Sequence, residues 1–202
     1  MLREMIVSRE FSSGNAWSLR KLAVRLKMSV VPIAEGLRRL EQEGILEVRP
    51  QRGISVRQLS ARQLEELKLI REGFEVQAAR LVALYHPKEP IKKMMNLARK
   101  LQKTLRAKKY AQAALIDMQL HQTLIETANC PLLTERYRQL VTLSMLSTDE
   151  LGPDWLRMEM SESANHVGLV EAIAEGDPDR ADQAIREHIN TGADRKAVRN
   201  DQ

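Results

Sequence analysis

Leu19, Leu22, Ala23, Val24, Leu26 and Met28 recur at near-helical spacing, and Ser18 ahead of them can accept from the free amides of a first turn. A short helix is therefore predicted over about residues 18–27. Ser29 opens a second helix, in which Ile33, Leu37 and Leu40 fall at i, i+4 and i+7. Gly44 supplies its left-handed stop, a conformation that costs glycine least. The pattern then changes to brief β-prone runs at residues 45–48 and 54–56, with Arg49-Pro50-Gln51-Arg52-Gly53 between them as a hairpin turn. Helix, tight turn, helix and basic hairpin is the order of a winged helix-turn-helix, and residues 1–58 are assigned to it.

From Leu59 onward the strand signal disappears. Leu67, Ile70, Phe74, Ala78, Leu81 and Tyr85 form one apolar stripe on a predicted helix of roughly 25 residues, stopped by His86-Pro87-Lys88-Glu89-Pro90. Further helices are predicted at about 90–106, 108–128, 131–150, 154–175 and 178–198. Asn129-Cys130-Pro131, Gly152-Pro153 and Gly176-Asp177-Pro178 punctuate them. Residues 59–202 thus read as an all-α antiparallel helical bundle, and the whole chain as mainly α.

Composition narrows the function classes. An apolar share of 43% sustains a core and sets disorder aside, whereas 3% aromatics leaves almost nothing for the stacking platforms of a single-strand nucleic-acid groove. The lone Cys130 has no internal disulfide partner. No apolar run approaches the ~18 residues of a membrane span, and no signal-peptide layout is present, so the expected place is a reducing cytoplasm with no membrane partner. Charge is uneven: residues 1–58 hold 11 Lys and Arg against 6 Asp and Glu, a net of +5, while residues 59–202 hold 21 of each. A positive winged helix points to double-stranded DNA, because cations that neutralise phosphates release counterions. A merely solubilising basic surface is the alternative.

Three of the four histidines fall where a metal site can be built. Asp117 and His121 are i, i+4 on one predicted helix and project from the same face. His166 and His188 flank the Gly176-Asp177-Pro178 turn, ten residues before Gly176 and ten after Pro178. In an antiparallel hairpin that symmetry puts both about 15 Å from the turn and at one level. Three imidazoles with one carboxylate suit a divalent transition metal such as Zn²⁺, Ni²⁺, Mn²⁺ or Fe²⁺. The competing reading makes each histidine an ordinary hydrogen-bonded core or surface residue. His86, in a Pro-flanked loop with no partner in register, is left with that ordinary role.

The N-terminal motifs resemble those of the GntR family over residues 2–57. The matching stretches are Leu2 to Val7, Ser18 to Ser29, Leu37-Arg38-Arg39-Leu40-Glu41-Gln42-Glu43-Gly44-Ile45-Leu46, and Arg49 to Gly53. The resemblance implies a recognition helix followed by a basic wing, with a first helix that is short in this chain. Arg20, Arg38, Arg39, Arg49 and Arg52 are the candidate DNA contacts, their alternative being a solvated basic face. Where the family pattern carries arginines across the turn and early recognition helix, this chain has Val30 and Ala34. Each lost base contact removes about 1–3 kcal/mol of discrimination, so weakly sequence-dependent binding is expected. Gly36 inside that helix costs about 1 kcal/mol relative to alanine.

Residues 60–195 resemble the FCD effector domain of the FadR-type branch of that family. The resemblance rests on Leu69 to Glu75, Asp117 to His121, Asn129 to Leu133, His166 to Ile173, Gly176-Asp177 and His188-Ile189. It implies that Asp117, His121, His166 and His188 are metal ligands, and that the effector is a small organic or sugar acid rather than an acyl-CoA. Arg71 matches an arginine of the family's first effector-domain helix. It is expected either to reach inward to a carboxylate effector or to pair with Glu75 on the surface. The reading is therefore a homodimeric, non-enzymatic transcription regulator, a repressor by resemblance. Its DNA affinity is expected to answer to an acid at the metal. The alternatives are a metalloenzyme using the Asp/His₃ set, or a metal and acid binder without specific DNA binding.

Overall fold

The computed structural model describes Leu2, Met5 and residues 17–49, 53–57, 59–148 and 165–190. Arg52, the residues around it in the hairpin turn, the predicted helix ahead of residue 165 and the stretch beyond residue 190 lie outside the described residues.

The N-terminal elements are α1 (Leu19–Leu26), α2 (Val30–Gln42), β1 (Leu46–Arg49) and β2 (Gly53–Val56). Ser18 caps α1 by accepting from the Lys21 amide at 3.3 Å, as its position before the apolar run predicts. Ile33, Leu37 and Leu40 are the buried positions of α2. Gly44, at φ +73°, makes the turn out of it. The strands pair antiparallel from Leu46 opposite Val56 to Arg49 opposite Gly53, and Trp17 adds a bridge to Ile54. Leu22, Ile33, Leu37, Ile45, Leu46 and Ile54 close the core beneath this hairpin. Gly36 faces Leu2: a Cβ there would come within 2.7 Å of Leu2 Cδ1, so that side chain would have to shift.

Six helices follow among the described residues: α3 (Ala61–Tyr85), α4 (Lys88–Arg106), α5 (Tyr110–Thr127), α6 (Pro131–Thr148), α7 (His166–Ala174) and α8 (Pro178–Asn190). Pro90 interrupts nothing, since α4 already starts at Lys88 and its first turn needs no amide at that position. By backbone proximity the chain divides into two compact units, Met1–Ser60 with Gln139–Glu150 and Ala61–Arg138 with Leu151–Gln202. In the second, α3 packs on α5, α7 and α8, while α4 packs on α5 and α7.

The core face of α3 differs from the apolar stripe expected of it. Ile70 and Tyr85 are 51% and 68% exposed, and the buried positions include Leu64, Val76, Ala79, Val82 and Ala83 together with Glu72 and Glu75. Two glutamates on that face hide it from a hydrophobic template. Both have partners that make burial tolerable: Arg186 reaches Glu72 at 2.9 Å, and Glu75 is held as described below. Arg186 of α8 also pairs with Asp182, and Arg80 of α3 reaches Asp179 at 2.6 Å. Glu72 facing Arg186 and Arg80 facing Asp179 fix α8 antiparallel to α3. No described helix is long and apolar enough to cross a membrane.

Candidate functional site

Each candidate ligand is set by local sequence. Asp117 and His121 stand one turn apart on α5, as their spacing requires. His166 is the first residue of α7, whose N-cap Asn165 accepts from the Gly168 amide at 3.0 Å. A Cβ on Gly168 would lie 2.6 Å from Asn165 Nδ2, so the glycine makes room for the cap that orients His166. His188 sits in the last turn of α8. That helix is launched by Gly176 at φ +80° and by Asp177, whose Oδ1 accepts from the amides of Asp179 at 2.9 Å and Arg180 at 3.3 Å.

These helices bring one ligand-type atom from each of Asp117, His121, His166 and His188 within 4.8 Å of one another. Asp117 Oδ1 is 2.6 Å from His166 Nε2 and 3.6 Å from His121 Nε2. His121 Nε2 is 3.2 Å from His188 Nε2. The His166 and His188 rings meet edge to face with centroids 4.3 Å apart, consistent with the level predicted from the hairpin symmetry. His121 and His166 are buried. His86 is exposed and stands outside this group.

Behind His121 lies a carboxylate that sequence reading did not place in the site. Glu75 Oε2 is 2.8 Å from His121 Nδ1, and Glu75 has no solvent exposure. Its Oε1 accepts from Tyr137 Oη at 2.6 Å and from Arg71 Nε. Arg71 makes the i, i+4 pair with Glu75, but with a fully buried carboxylate instead of on the surface. The available signal was a glutamate on the same helical face as Arg71. Tyr137, on α6, had no spacing relation that would have disclosed it.

The electrostatics follow from crowding opposite charges in a dry place. Burial opposes ionisation of Glu75, yet Arg71 and His121 outweigh it and hold the carboxyl well below its ordinary range. Asp117 is likewise depressed, burial being overcome by His121 and His166. Burial acts to lower His121, but the Glu75 and Asp117 carboxylates raise it to about 9. His188, buried and beside His121 and His166, is pushed down to about 2 and is held neutral. Burial and Glu75 raise the Tyr137 phenol, which keeps its proton.

The donor set fits a divalent transition metal. Three Nε2 atoms and a carboxylate oxygen are borderline donors, and ligand atoms about 2.0–2.2 Å from one centre lie roughly 3–4 Å apart, close to the spacing here. His121 also has the outer carboxylate that ligating imidazoles commonly carry.

On the N-terminal unit, Arg20, Arg38 and Arg39 are exposed; the Arg49 backbone ends β1, with its side chain outside the description. Val30 and Val31 begin the outer face of α2, 41% and 67% exposed. Arg25, not singled out from the sequence, lies 5.4 Å over the Trp17 ring.

Comparison with known proteins agrees with these two halves. Residues 1–56 match the family described as bacterial regulatory proteins, gntR family, and residues 66–191 match the FCD domain. The chain is 23% identical to the HTH-type transcriptional repressor RspR of Escherichia coli K12 over 193 residues, covering 94% of this chain and 82% of that protein. The solved structure of E. coli McbR/YncC superposes with a TM-score of 0.71 at 23% identity, covering 93% of this chain and 89% of that one. A putative GntR regulator from Rhodococcus sp. RHA1 gives the same TM-score and coverage at 18% identity.

Proposed function

Since the chain belongs to the GntR family of bacterial regulatory proteins, in the branch that carries an FCD domain, we infer that it binds operator DNA as a homodimer under control of a metal-anchored small acid. Its relatives and fold are those of transcription regulators and not of enzymes, which sets the metalloenzyme alternative aside. In this reading residues 1–58 bind double-stranded DNA through Arg20, Arg38, Arg39, Arg49 and Arg52, and residues 59–202 bind the effector, in the cytoplasm.

The observation that carries the reading is the convergence of Asp117, His121, His166 and His188 beside Arg71. A divalent transition metal would supply a Lewis-acidic anchor there, held by those four residues. Formal charge then selects the ligand. With neutral imidazoles, the two charges of the cation and that of Arg71 exceed those of Asp117 and Glu75 by one, so a carboxylate is favoured. Arg71 gives its Nε to Glu75 and has no partner for its Nη atoms among the described residues; they are the donors offered to that acid. Acid binding changes DNA affinity by favouring one arrangement of the paired winged helices on an inverted-repeat operator, and repression is the assigned sign.

The test is a metal analysis of the purified chain, followed by a thermal-shift screen of organic and sugar acids and a DNA titration with each stabilising acid. Metal at about one per chain, and an acid that alters DNA affinity while being recovered unchanged, are expected. A chain without metal, or an acid with no effect on DNA binding, overturns it.

A further inference from the structure

Glu75 is an expensive residue to place where it is. It is fully buried on the face of α3 that packs inside the bundle, and a carboxylate there is tolerated only if its oxygens are satisfied. The distribution of its partners is specific. Arg71 Nε and Tyr137 Oη, both donors, converge on Oε1, which leaves Oε2 in ion-pair contact with His121 Nδ1 at 2.8 Å, and neither of those two atoms has another hydrogen-bond partner among the described residues. An ionised carboxylate can only accept, so when His121 is neutral with a metal on its ring, its one remaining hydrogen belongs on the nitrogen that faces Glu75. The opposite nitrogen, Nε2, is the one turned to Asp117 and His188.

We propose that Glu75 is a positioning residue of the metal centre: it holds the His121 proton on Nδ1, keeps Nε2 as the ligand atom, and is itself fixed by Arg71 and Tyr137. The inference rests on the metal reading above and extends it to residues outside the ligand set. It also gives Arg71 a second role. The guanidinium that offers its Nη atoms to an acid uses its Nε to steady the carboxylate behind His121, so ligand and metal site share one side chain.

The substitution Glu75→Gln separates this role from simple space filling, because it preserves shape. Two donors already point at the Oε1 position, so the amide oxygen belongs there and the amide NH₂ turns to His121 Nδ1. That geometry asks Nδ1 to accept, moves the ring proton to Nε2 and removes the ligand lone pair.

The experiment is zinc titration of the full-length chain against a chromophoric chelator for wild type, E75Q and E75D, with thermal melting without added zinc as the folding control. Long-range ¹H–¹⁵N spectra of the zinc-loaded wild-type histidine rings complete it. E75Q is expected to weaken zinc binding roughly 10–100-fold, the range typical of an outer-shell partner, with E75D recovering part of the loss. The His121 ring is expected to carry hydrogen on Nδ1 and metal on Nε2. Zinc affinity in folded E75Q within about threefold of wild type, well short of that range, overturns the inference alone. No zinc binding by wild type overturns the metal reading and this inference with it. If E75Q does not fold, the wild-type ring spectrum decides: hydrogen on Nε2 of His121 is the overturning result.

Discussion

His166 Nε2 stands 2.6 Å from Asp117 Oδ1, although 49 residues separate the two in the chain. That contact joins α5 to α7 through two side chains that have no sequence relation other than their chemistry, and the first expectation follows from it. His166→Ala or His188→Ala should release the metal, since each removes one of four converging donors. Elemental analysis after gel filtration reads the result; unchanged metal content in both variants places the metal elsewhere.

DNA recognition should be led by phosphate contacts. With Val30 and Ala34 where the family pattern carries arginines, binding to generic duplex should be modest and steeply salt-dependent, with log affinity falling by about 0.9 per phosphate contact for each unit of log salt. Selection from random duplexes checks this. A strongly conserved palindrome among the selected sequences would show that the remaining arginines read bases.

Linkage makes the effector testable from both ends. Whatever factor the acid imposes on DNA affinity, DNA must impose on acid affinity, typically about 5–150-fold. Calorimetric titration of acid with and without a DNA duplex measures it, and an acid affinity that DNA leaves unchanged would show that the two sites are not coupled.

Asp177→Ala removes the side chain that accepts from the Asp179 and Arg180 amides at the start of α8. The loss should be about 1 kcal/mol in urea unfolding, the usual worth of an N-cap. Zinc affinity should fall as well, because α8 carries His188. A stability loss with no change in zinc affinity would show that Arg80 and Arg186 alone hold the helix in place.

The winged helix was legible almost residue by residue, because each of its signals is local: Ser18 before a helix, Gly44 after one, a Pro-Gly turn between two β-prone runs. The convergence of Asp117, His121, His166 and His188 was legible for a similar reason. Spacing of i, i+4 on α5 and a symmetric hairpin between α7 and α8 turn sequence distance into spatial distance. What sequence did not disclose was the inward face of α3. Periodicity analysis counts Glu72 and Glu75 as solvent-facing, and their burial depends on Arg186, Tyr137 and His121, which arrive from three other helices. The closeness of Leu2 to Gly36 was hidden for the same reason, since it depends on a neighbour from outside the helix.

The bonds that gather Asp117 and His188 around one point have a topological consequence. A metal at that point would close a covalent-like loop of the 70 residues between those positions, with His166 tying off a smaller loop inside it. Such a staple acts on the unfolded chain as much as on the folded one, by removing conformations in which the helices drift apart. Its effect depends only weakly on how long the enclosed segment is, each doubling adding about 0.6 kcal/mol. The stabilisation would therefore depend little on how many residues the loop encloses, while the staple itself would be set by four side chains.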